Sequence, residues 1–243
     1  MIPNTSGPQR LYLIQVATVI AGPLTAPVPC YLIQTRDGKN ILIDSGFSPN
    51  YQPPPNGLVE RIENRKGVIE QLAMIGVRPS DINILICTHY DNDHAGNLGS
   101  FPNARLVAQR LQYEVASAGH PRFALTRSQW DQPASRYQLV DGDTQLLPGL
   151  DLIETSGHVP GHQAVLVHLP QTGPVLLAID AIAQQAFFTA DRPASPADAD
   201  GAGAIASTRK LLNLIEKEHP SLVIFGHDSP QWAMLKQLPD FYD

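Results

Sequence analysis

The N-terminal part of the chain carries the pattern of strands rather than of helices. Residues 11–22 (LYLIQVATVIAG) are rich in branched side chains, and residues 30–46 (CYLIQTRDGKNILIDSG) divide into two apolar runs around Asp37-Gly38. β-Branched residues favour strands, and an Asp-Gly pair between two such runs predicts a hairpin. The prolines of residues 51–57 (YQPPPNG) then predict a loop, because proline continues neither a strand nor a helix.

Helices are predicted in four later segments. Apolar residues recur at a period of about 3.6 over 58–76 and again over 205–219, which predicts two amphipathic helices. A short helix is predicted over 110–119, where a glycine ends it, and another is predicted from Gln231. Residues 194–204 (ASPADADGAGA) have low hydrophobicity and predict a loop.

The remaining apolar runs predict strands. They are residues 81–89 (DINILICTH), 104–109 (ARLVAQ), the turn-rich stretch 136–158, the hairpin 163–181 and the last run, 221–227 (SLVIFGH). The chain therefore has strands and a helix, and then strands and a helix again. Two sheets packed together with helices outside satisfy this order, because each element then buries its apolar face. The sequence has no convincing linker, so we expect a single domain over residues 1–243.

Composition limits the partners that this chain can take. Hydrophobic residues make up 43% and charged residues 16%, which is typical of a globular protein. A net charge of −6 without a Lys/Arg stripe argues against nucleic acid and against an anionic membrane. No apolar run reaches the roughly 18 residues of a membrane span, and the first residues lack a secretory pattern. We expect a cytoplasmic enzyme with a small-molecule substrate, in which Cys30 and Cys87 are buried rather than disulfide-bonded.

Histidines and aspartates follow four of the predicted strands directly. They are His89, Asp91, Asp93 and His94 after ILICT, and His158, Asp180 and His227 after three later runs. Packing does not require charged residues at the end of a buried strand. Histidines and carboxylates that meet at one rim are the ligands of a metal site. The sequence therefore predicts a metal centre.

The spacing after ILICT suits two ions. Residues two apart in an extended segment point the same way, so His89 and Asp91 can converge on one ion. Asp93 and His94 are adjacent and diverge, so they can serve a second ion, and the Asp180 carboxylate can bridge the two. Two metals about 3.5–4 Å apart share a water and lower its pKa, which gives a hydroxide nucleophile.

These residues resemble the ligand set of the metallo-β-lactamase superfamily. The run H-x-D-x-D-H, together with the ligands after the later strands, is similar to the motif of that family. The flanking sequence between Tyr31 and Trp232, for example DHAGNLGSF and FGHDSPQW, resembles the N-acyl homoserine lactonase-like branch. The resemblance implies an α+β fold, a four-layer αββα sandwich of two mixed sheets with outer helices.

The resemblance also assigns the ligands to two metals. It puts one metal on His89, Asp91 and His158 and the other on Asp93, His94 and His227, with Asp180 between them. By the same resemblance Asp44 holds a ligand from behind. A capping aspartate in the turn after a strand is an equal alternative for Asp44.

Two positions depart from the pattern of this branch. Asp91 stands where a histidine is usual, and Ala183 stands where lactonases often carry a tyrosine that polarises the lactone carbonyl. That polarisation then falls to a metal, with Tyr90 and Tyr113 as the other candidates. The departure at Ala183 leaves the acyl-homoserine substrate open.

Asp91 allows three interpretations. It is a non-ligand that leaves the protein with one metal, a ligand that changes the charge of the site, or part of a non-catalytic relic. We favour the second, because three aspartates and a bridging hydroxide neutralise two divalent ions. We expect two divalent metal ions per chain, with zinc first. Because oxygen donors favour harder ions than imidazole does, iron or manganese is the alternative at the Asp91 position.

The resulting hypothesis is a dinuclear metal-dependent hydrolase that opens a lactone. A metal-bridging hydroxide attacks the carbonyl, a metal stabilises the oxyanion, and Asp93 or Asp180 carries the proton to the leaving alkoxide. A thioester hydrolase resembling glyoxalase II is the close alternative, and a redox di-iron oxidoreductase is a more distant one. The sequence decides neither the substrate nor the oligomeric state, for which a homodimer is kept open.

Several other residues lie close in sequence to the expected mouth of the site. Phe47, Phe187 and Phe188 either line an apolar pocket there or pack in the core. Trp130 is a candidate for a mobile flap, and His162 for a turn or for a position behind a ligand. Three histidines are expected outside the site: His120, His168 and His219.

Overall fold

Twelve strands form two sheets within residues 6–55, 59–64 and 66–243, which are the residues that the computed structural model describes. The first sheet contains β1 (Pro8–Ala21), β2 (Leu24–Thr35), β3 (Asn40–Ile43), β4 (Arg61–Glu63), β5 (Ile82–Ile86), β6 (Arg105–Gln109) and β7 (Tyr137–Val140). The second contains β8 (Thr144–Leu147), β9 (Leu150–Glu154), β10 (Gln163–Leu169), β11 (Gly173–Ile179) and β12 (Leu222–Phe225).

The strand order brings the ends of parallel strands together. The first sheet has the order β4-β1-β2-β3-β5-β6-β7 and the second the order β12-β11-β10-β9-β8. Strands β3, β5, β6 and β7 run parallel, and β11 and β12 are parallel in an otherwise antiparallel second sheet. Both sheets are therefore mixed. Residues that follow β3 and β5 lie at one edge, as do residues that follow β11 and β12.

Alternation along the strands divides the apolar side chains between two faces of each sheet. Leu11 and Leu13 of β1 pack with Val165 of β10 in a buried layer between the sheets. Tyr12 and Ile14, which point the other way, belong to a second cluster on the outer face of the first sheet. Because each fully buried aliphatic side chain contributes about 1.5–3 kcal/mol, the shared layer holds the sheets face to face.

Helices cover both outer faces. Their bounds are α1 (Val68–Met74), α2 (Arg110–Ser117), α3 (Arg127–Trp130), α4 (Gly201–Glu218) and α5 (Ser229–Trp232). Leu72 of α1, Ala116 of α2 and Trp130 of α3 pack on the first sheet. Leu211 of α4 packs on the outer face of the second sheet. The predicted α+β fold, an αββα sandwich of two mixed sheets with outer helices, is confirmed.

The helix predicted over 58–76 is wrong in its first half. Arg61–Glu63 form β4, which pairs with β1 at the edge of the first sheet, and the helix begins only at Val68. Residues 56–58 and 65, which belong to the predicted loop and helix, lie outside the described residues. The long β1 offers an edge for pairing, and a tertiary contact of this kind overrides a weak local preference for helix.

Two other helices begin earlier than predicted. α4 starts at Gly201, inside the predicted loop, where the Asp200 carboxylate accepts a hydrogen bond from the Ala202 N–H at 3.0 Å. α5 starts at Ser229 rather than at Gln231. An aspartate cap fixes a helix start through the backbone. Apolar spacing does not detect such a start, because the first turn of α4 contains only small residues.

The other predicted strands are present, including the hairpin at Asp37-Gly38 and the hairpin of β10 and β11. Cys30 and Cys87 are buried and free, as predicted. Among the described residues, no helix combines the length and the apolar character that crossing a membrane requires.

Candidate metal centre

The predicted ligands lie in loops that follow four strands. His89, Asp91, Asp93 and His94 come after β5, and His158, Asp180 and His227 come after β9, β11 and β12. Strands of both sheets thus deliver side chains to one place. The structure brings all seven together in three overlapping groups, and within each group the potential ligand atoms lie within 4.8 Å of one another.

Two of these groups match the division that the family resemblance implies. The first group is His89, Asp91 and His158. The second group is Asp93, His94 and His227. The geometry therefore agrees with two adjacent metal positions, while coordination by each residue stays a prediction.

Asp180 lies between the two groups. Its carboxylate oxygens approach Nε2 of His227 at 3.1 Å, of His158 at 3.4 Å, of His94 at 3.5 Å and of His89 at 3.8 Å. One carboxylate therefore reaches both groups, which is the position expected of a bridging ligand. The residue before it, Ile179, has a φ of 51°, so the backbone turns sharply as it leaves β11.

Buried nitrogen atoms provide a test of whether a metal fits here. The Nε2 atoms of His89 and His94 are buried, and neither has a hydrogen-bond partner among the described residues. Buried polar atoms without a partner are rare in folded proteins because leaving them unpaired costs about 1–3 kcal/mol. Imidazole nitrogens and carboxylate oxygens are ligands for divalent transition metals. The donor set therefore fits two such ions.

Hydrogen bonds from behind hold the second group in place. The Asp44 carboxylate lies 2.8 Å from Nδ1 of His94 and accepts from the Thr88 N–H at 2.8 Å and the Thr88 hydroxyl at 2.6 Å. Nδ1 of His227 lies 2.8 Å from the carbonyl oxygen of Pro27. Each contact directs Nε2 toward the centre and fixes the ring orientation. Asp44 thus makes the contact that the resemblance implies, rather than only capping a turn.

His162, a candidate for a turn or for a position behind a ligand, also belongs to this polar region. Its ring is fully buried, Nδ1 lies 2.8 Å from the Thr155 hydroxyl, and Nε2 accepts from the Asp180 N–H at 3.3 Å. Burial, followed by the nearby His158, lowers the pKa of His162 to about 3, so the ring is neutral. It therefore acts as a hydrogen-bond acceptor that positions the backbone of Asp180.

The electrostatics of the centre favour a cation. Burial opposes a charge on His94, but Asp93, Asp180 and Asp44 outweigh burial and raise its pKa well above the usual value. For Asp180 the balance is reversed. Burial raises its pKa, and His227 and His94 outweigh burial and lower it well below the usual range. Asp180 is thus ionised in a region from which water is largely excluded, and a positive charge there is stabilised.

Arg122 is a part of the centre that the sequence analysis missed. Its Nε donates to Asp91 Oδ1 at 2.8 Å and its Nη2 donates to Asp91 Oδ2 at 2.6 Å, a two-point ion pair. Burial raises the pKa of Asp91, but the hydrogen bonds from the Arg122 guanidinium are the largest opposing influence, and the pKa lies well below the usual range. The charge balance predicted from the sequence did not include Arg122, because this residue lies 31 positions from Asp91 and no local motif marks it.

His158 is subject to two opposing influences. Burial lowers its pKa, but Asp198 and Asp91 outweigh burial and raise it to about 9. In contrast, Nη2 of Arg122 lies 3.0 Å from Nε2 of His158. Nε2 of His158 also lies 3.2 Å from Asp91 Oδ2, so the ring contacts both members of the Arg122–Asp91 ion pair.

The loop that carries the second group packs closely on the turn after β3. A Cβ atom on Gly96 would lie 2.1 Å from the Ser48 backbone nitrogen, so only glycine fits there. The Asn97 amide donates to the carbonyl oxygens of Ser45 and Phe47, at 2.7 Å each. This packing joins the loop after β5 to the loop that contains Asp44.

The phenylalanines that were expected near the mouth have different environments. Phe47 stacks on Tyr51 at 5.1 Å and lines an apolar cavity of about 230 Å³ beside the loop that contains Asp44. Phe188 packs on Phe225 at 5.6 Å in the outer core of the second sheet, and Phe187 is 38% exposed. Of the three, Phe47 lines a pocket.

Trp130 is not on a flap. It is buried in the outer core of the first sheet, where its ring stacks on Tyr90 at 5.6 Å and its Nε1–H donates to the carbonyl oxygen of Phe123 at 2.9 Å. Tyr90 is buried in the same core, and the partly buried Tyr113 packs on Tyr137 at 4.8 Å, so both rings contact this region of the first sheet rather than the group of ligands. Three histidines are partly or fully exposed, as expected: His120, His168 and His219.

Comparison with known proteins adds the family. The profile of the Metallo-beta-lactamase superfamily matches residues 25–227. An N-acyl homoserine lactonase from Bacillus sp. is 33% identical over 227 residues, which cover 90% of this chain and 88% of the relative. The N-acyl homoserine lactonase AttM of Rhizobium radiobacter is 34% identical over 237 residues, covering 89% of this chain and 87% of the relative.

A solved structure gives the same picture. An N-acyl homoserine lactone hydrolase with the product N-hexanoyl-L-homoserine bound at its catalytic metal centre superposes with a TM-score of 0.85 at 29% identity. The alignment covers 97% of this chain and 100% of that chain. The two proteins therefore share one fold over nearly their whole length.

Proposed function

The chain belongs to the metallo-beta-lactamase superfamily, and on that premise we propose that it is a dinuclear metal-dependent hydrolase that opens lactones. One observation carries the proposal. Seven side chains from four strand ends converge in two groups joined by Asp180, with the buried Nε2 atoms of His89 and His94 lacking any hydrogen-bond partner among the described residues. The relatives that are lactonases supply the bond class.

The ligand set would hold two ions. The first group would hold one, the second group the other, and Asp180 would contact both. Divalent ions in these positions supply Lewis acidity for the carbonyl and lower the pKa of bound water toward neutrality. The residues behind the ligands, Asp44 and Thr88 above all, would keep the imidazole rings oriented.

Proton transfer to the leaving oxygen is assigned to a carboxylate of the centre. Asp93 is the better placed, because its side chain is 20% exposed and therefore reachable from the substrate side. Its Oδ2 lies 3.6 Å from Nε2 of His94 and 3.7 Å from Nε2 of His227. Asp180 has an exposure of only 8% and is enclosed by four histidines. We therefore propose that Asp93 would carry the proton to the leaving oxygen and that Asp180 would contact both ions.

The substrate is a lactone with an apolar substituent. The cavity of about 230 Å³ is lined by Val16, Phe47, Pro49, Val68 and Ile69 among others, which suits an alkyl or ring group. Ala183 has no side chain that can polarise a carbonyl, and its own carbonyl accepts a hydrogen bond from the His227 N–H at 2.7 Å. We therefore assign carbonyl polarisation to a metal.

Further details belong to the same proposal. We propose zinc as the metal, with iron or manganese as alternatives at the Asp91 position because of its oxygen donor. A cytoplasmic location is supported by the free, buried Cys30 and Cys87, since unpaired thiols persist in a reducing compartment. We also propose a single domain, because the two sheets share one buried layer of apolar side chains.

The test combines metal content with activity. Protein purified without chelators or added metal is analysed by mass spectrometry, and ring opening of an N-acyl homoserine lactone is followed by proton release. We expect about two metals per chain and lactone hydrolysis. His227→Ala should lower hydrolysis by about 10²–10³-fold, because a metal ligand is lost. His168→Ala, whose ring lies 3.6 Å from surface Asp151, should retain it.

Other outcomes would change the assignment. Hydrolysis of thioesters without hydrolysis of any lactone would assign the chain to the thioester hydrolases. One metal per chain, or none, would contradict the dinuclear centre. Full activity of His227→Ala would remove that residue from the ligand set.

A further inference from the structure

Arg122 is held in place from two sides. It lies in the short turn Pro121–Phe123, and its guanidinium forms the two-point ion pair with Asp91. Its Nη1 donates to the carbonyl oxygen of Ala197 at 2.8 Å. The side chain is 27% exposed, so most of it is enclosed. The position of this arginine is therefore specific, unlike that of a surface arginine.

The guanidinium contacts the atoms that a metal in the first group needs. Nη2 lies 2.6 Å from Asp91 Oδ2 and 3.0 Å from His158 Nε2, and these two atoms lie 3.2 Å apart. Asp91 Oδ2 in turn lies 3.6 Å from Nε2 of His89, the third residue of the first group. One nitrogen of Arg122 thus lies against two of the three ligand atoms.

Only one of the two cations can bind His158 at a time. A metal ion bound by His158 would approach its Nε2 atom, and Nη2 of Arg122 lies 3.0 Å from that atom, in the space that the ion needs. Arginine stays protonated beside a metal ion, so it repels the ion and does not become a ligand itself. The contact of Arg122 with His158 therefore excludes coordination of a metal by His158.

The second group has no such competitor. In the described part of the chain, neither Asp93 nor Asp180 forms an ion pair with a lysine or an arginine. Behind His94 and His227 stand acceptors, Asp44 and the Pro27 carbonyl. The two groups thus differ in the charge that faces them, positive at the first and negative or neutral at the second.

We propose that Arg122 competes with a metal ion for the first group and so sets its occupancy. The inference rests on the metal centre proposed above. When no ion is present in the first group, Arg122 occupies Asp91 and His158. An ion binds there only after the guanidinium has left His158. The second group consequently fills first, and the first group is the weaker, more readily exchanged position.

Calorimetric titration of metal-free protein with Zn²⁺ tests this. Wild type should bind in two steps, with the second step at least about tenfold weaker than the first, and His158→Ala should lose the weaker step. In Arg122→Ala the weaker step should tighten by about tenfold or more, because the competitor is gone, while the stronger step is unchanged. Arg110→Ala is the matched control, since Arg110 pairs with Asp141 at the surface, and it should titrate like wild type.

The opposite sign would overturn the proposal. If Arg122 instead supports Asp91 as a ligand, Arg122→Ala weakens or abolishes the second step. Unchanged titration of Arg122→Ala would equally exclude competition. Should the alanine variant be poorly folded by circular dichroism, Arg122→Gln, which keeps much of the side-chain volume without the charge, gives the same comparison. Absence of any binding by wild type would overturn the metal centre itself, which separates that failure from this one.

Discussion

The two halves of the metal centre are built from the same kinds of side chain but face different surroundings. The second group rests on Asp44, which accepts from Thr88 and contacts His94 at 2.8 Å. The first group faces Arg122, a cation at 2.6 Å from Asp91 Oδ2. A carboxylate behind a histidine ligand increases its donor strength, whereas a cation beside a carboxylate ligand competes for its oxygens.

This difference changes the interpretation of Asp91. From the sequence, Asp91 makes the centre neutral and favours harder ions. In the structure, its charge is already balanced by Arg122 whenever the arginine is in place. A carboxylate at this position accepts two hydrogen bonds from one arginine, which histidine cannot do. On the competition proposed above, it would offer an oxygen ligand once the arginine moves.

The largest effect is expected at Asp180, which joins the halves. Asp180→Asn removes the negative charge that lies near four histidines, so both metals should bind more weakly and lactone hydrolysis should fall by about 10³-fold. Metal content and turnover are measured together. Asp151→Asn, at the surface, is the control. Loss of only one metal in Asp180→Asn would show that the carboxylate serves one group rather than both.

A smaller effect, limited to the second group, is expected at Asp44. Asp44→Asn leaves an acceptor for the Thr88 N–H but loses the charge beside His94, so the stronger zinc step should weaken by about 10–100-fold. Asparagine also tolerates the φ of 58° at this position. Calorimetric titration measures the change, with Asp37→Asn in the turn between β2 and β3 as control. If the weaker zinc-binding step changed instead, that step would belong to the second group, and the assignment of the two steps to the two groups would be reversed.

The smallest effect is expected from making the first group more like the second. Asp91→His replaces an oxygen donor by imidazole, so the ratio of zinc to manganese affinity at the weaker step should rise by about tenfold. Because the measurement is a ratio, a general loss of affinity does not obscure it. Competition titrations with both metals give the ratio. An unchanged ratio would indicate that Asp91 does not coordinate and only pairs with Arg122.

Local sequence was sufficient where one segment determines its own structure. The strand after residue 81, the hairpin at Asp37-Gly38 and the positions of all seven potential ligands follow from patterns that lie within a few residues. Apolar spacing was insufficient over 58–76, where pairing of Arg61–Glu63 with β1 gave a strand instead of a helix. The pairing partner, β1, is far from these residues in sequence, so no local pattern over 58–76 contains it.

The sequence by itself determined the αββα sandwich and the set of potential metal ligands. Each of these side chains follows a strand, so its position is set by the place of that strand in the sheet. The tertiary structure alone decided what surrounds those donors. Arg122 meets Asp91 across 31 residues, His162 turns inward to the Asp180 backbone, and Trp130 packs in the core. Contacts of this kind depend on how separate loops pack together. Local spacing along the chain does not record that packing.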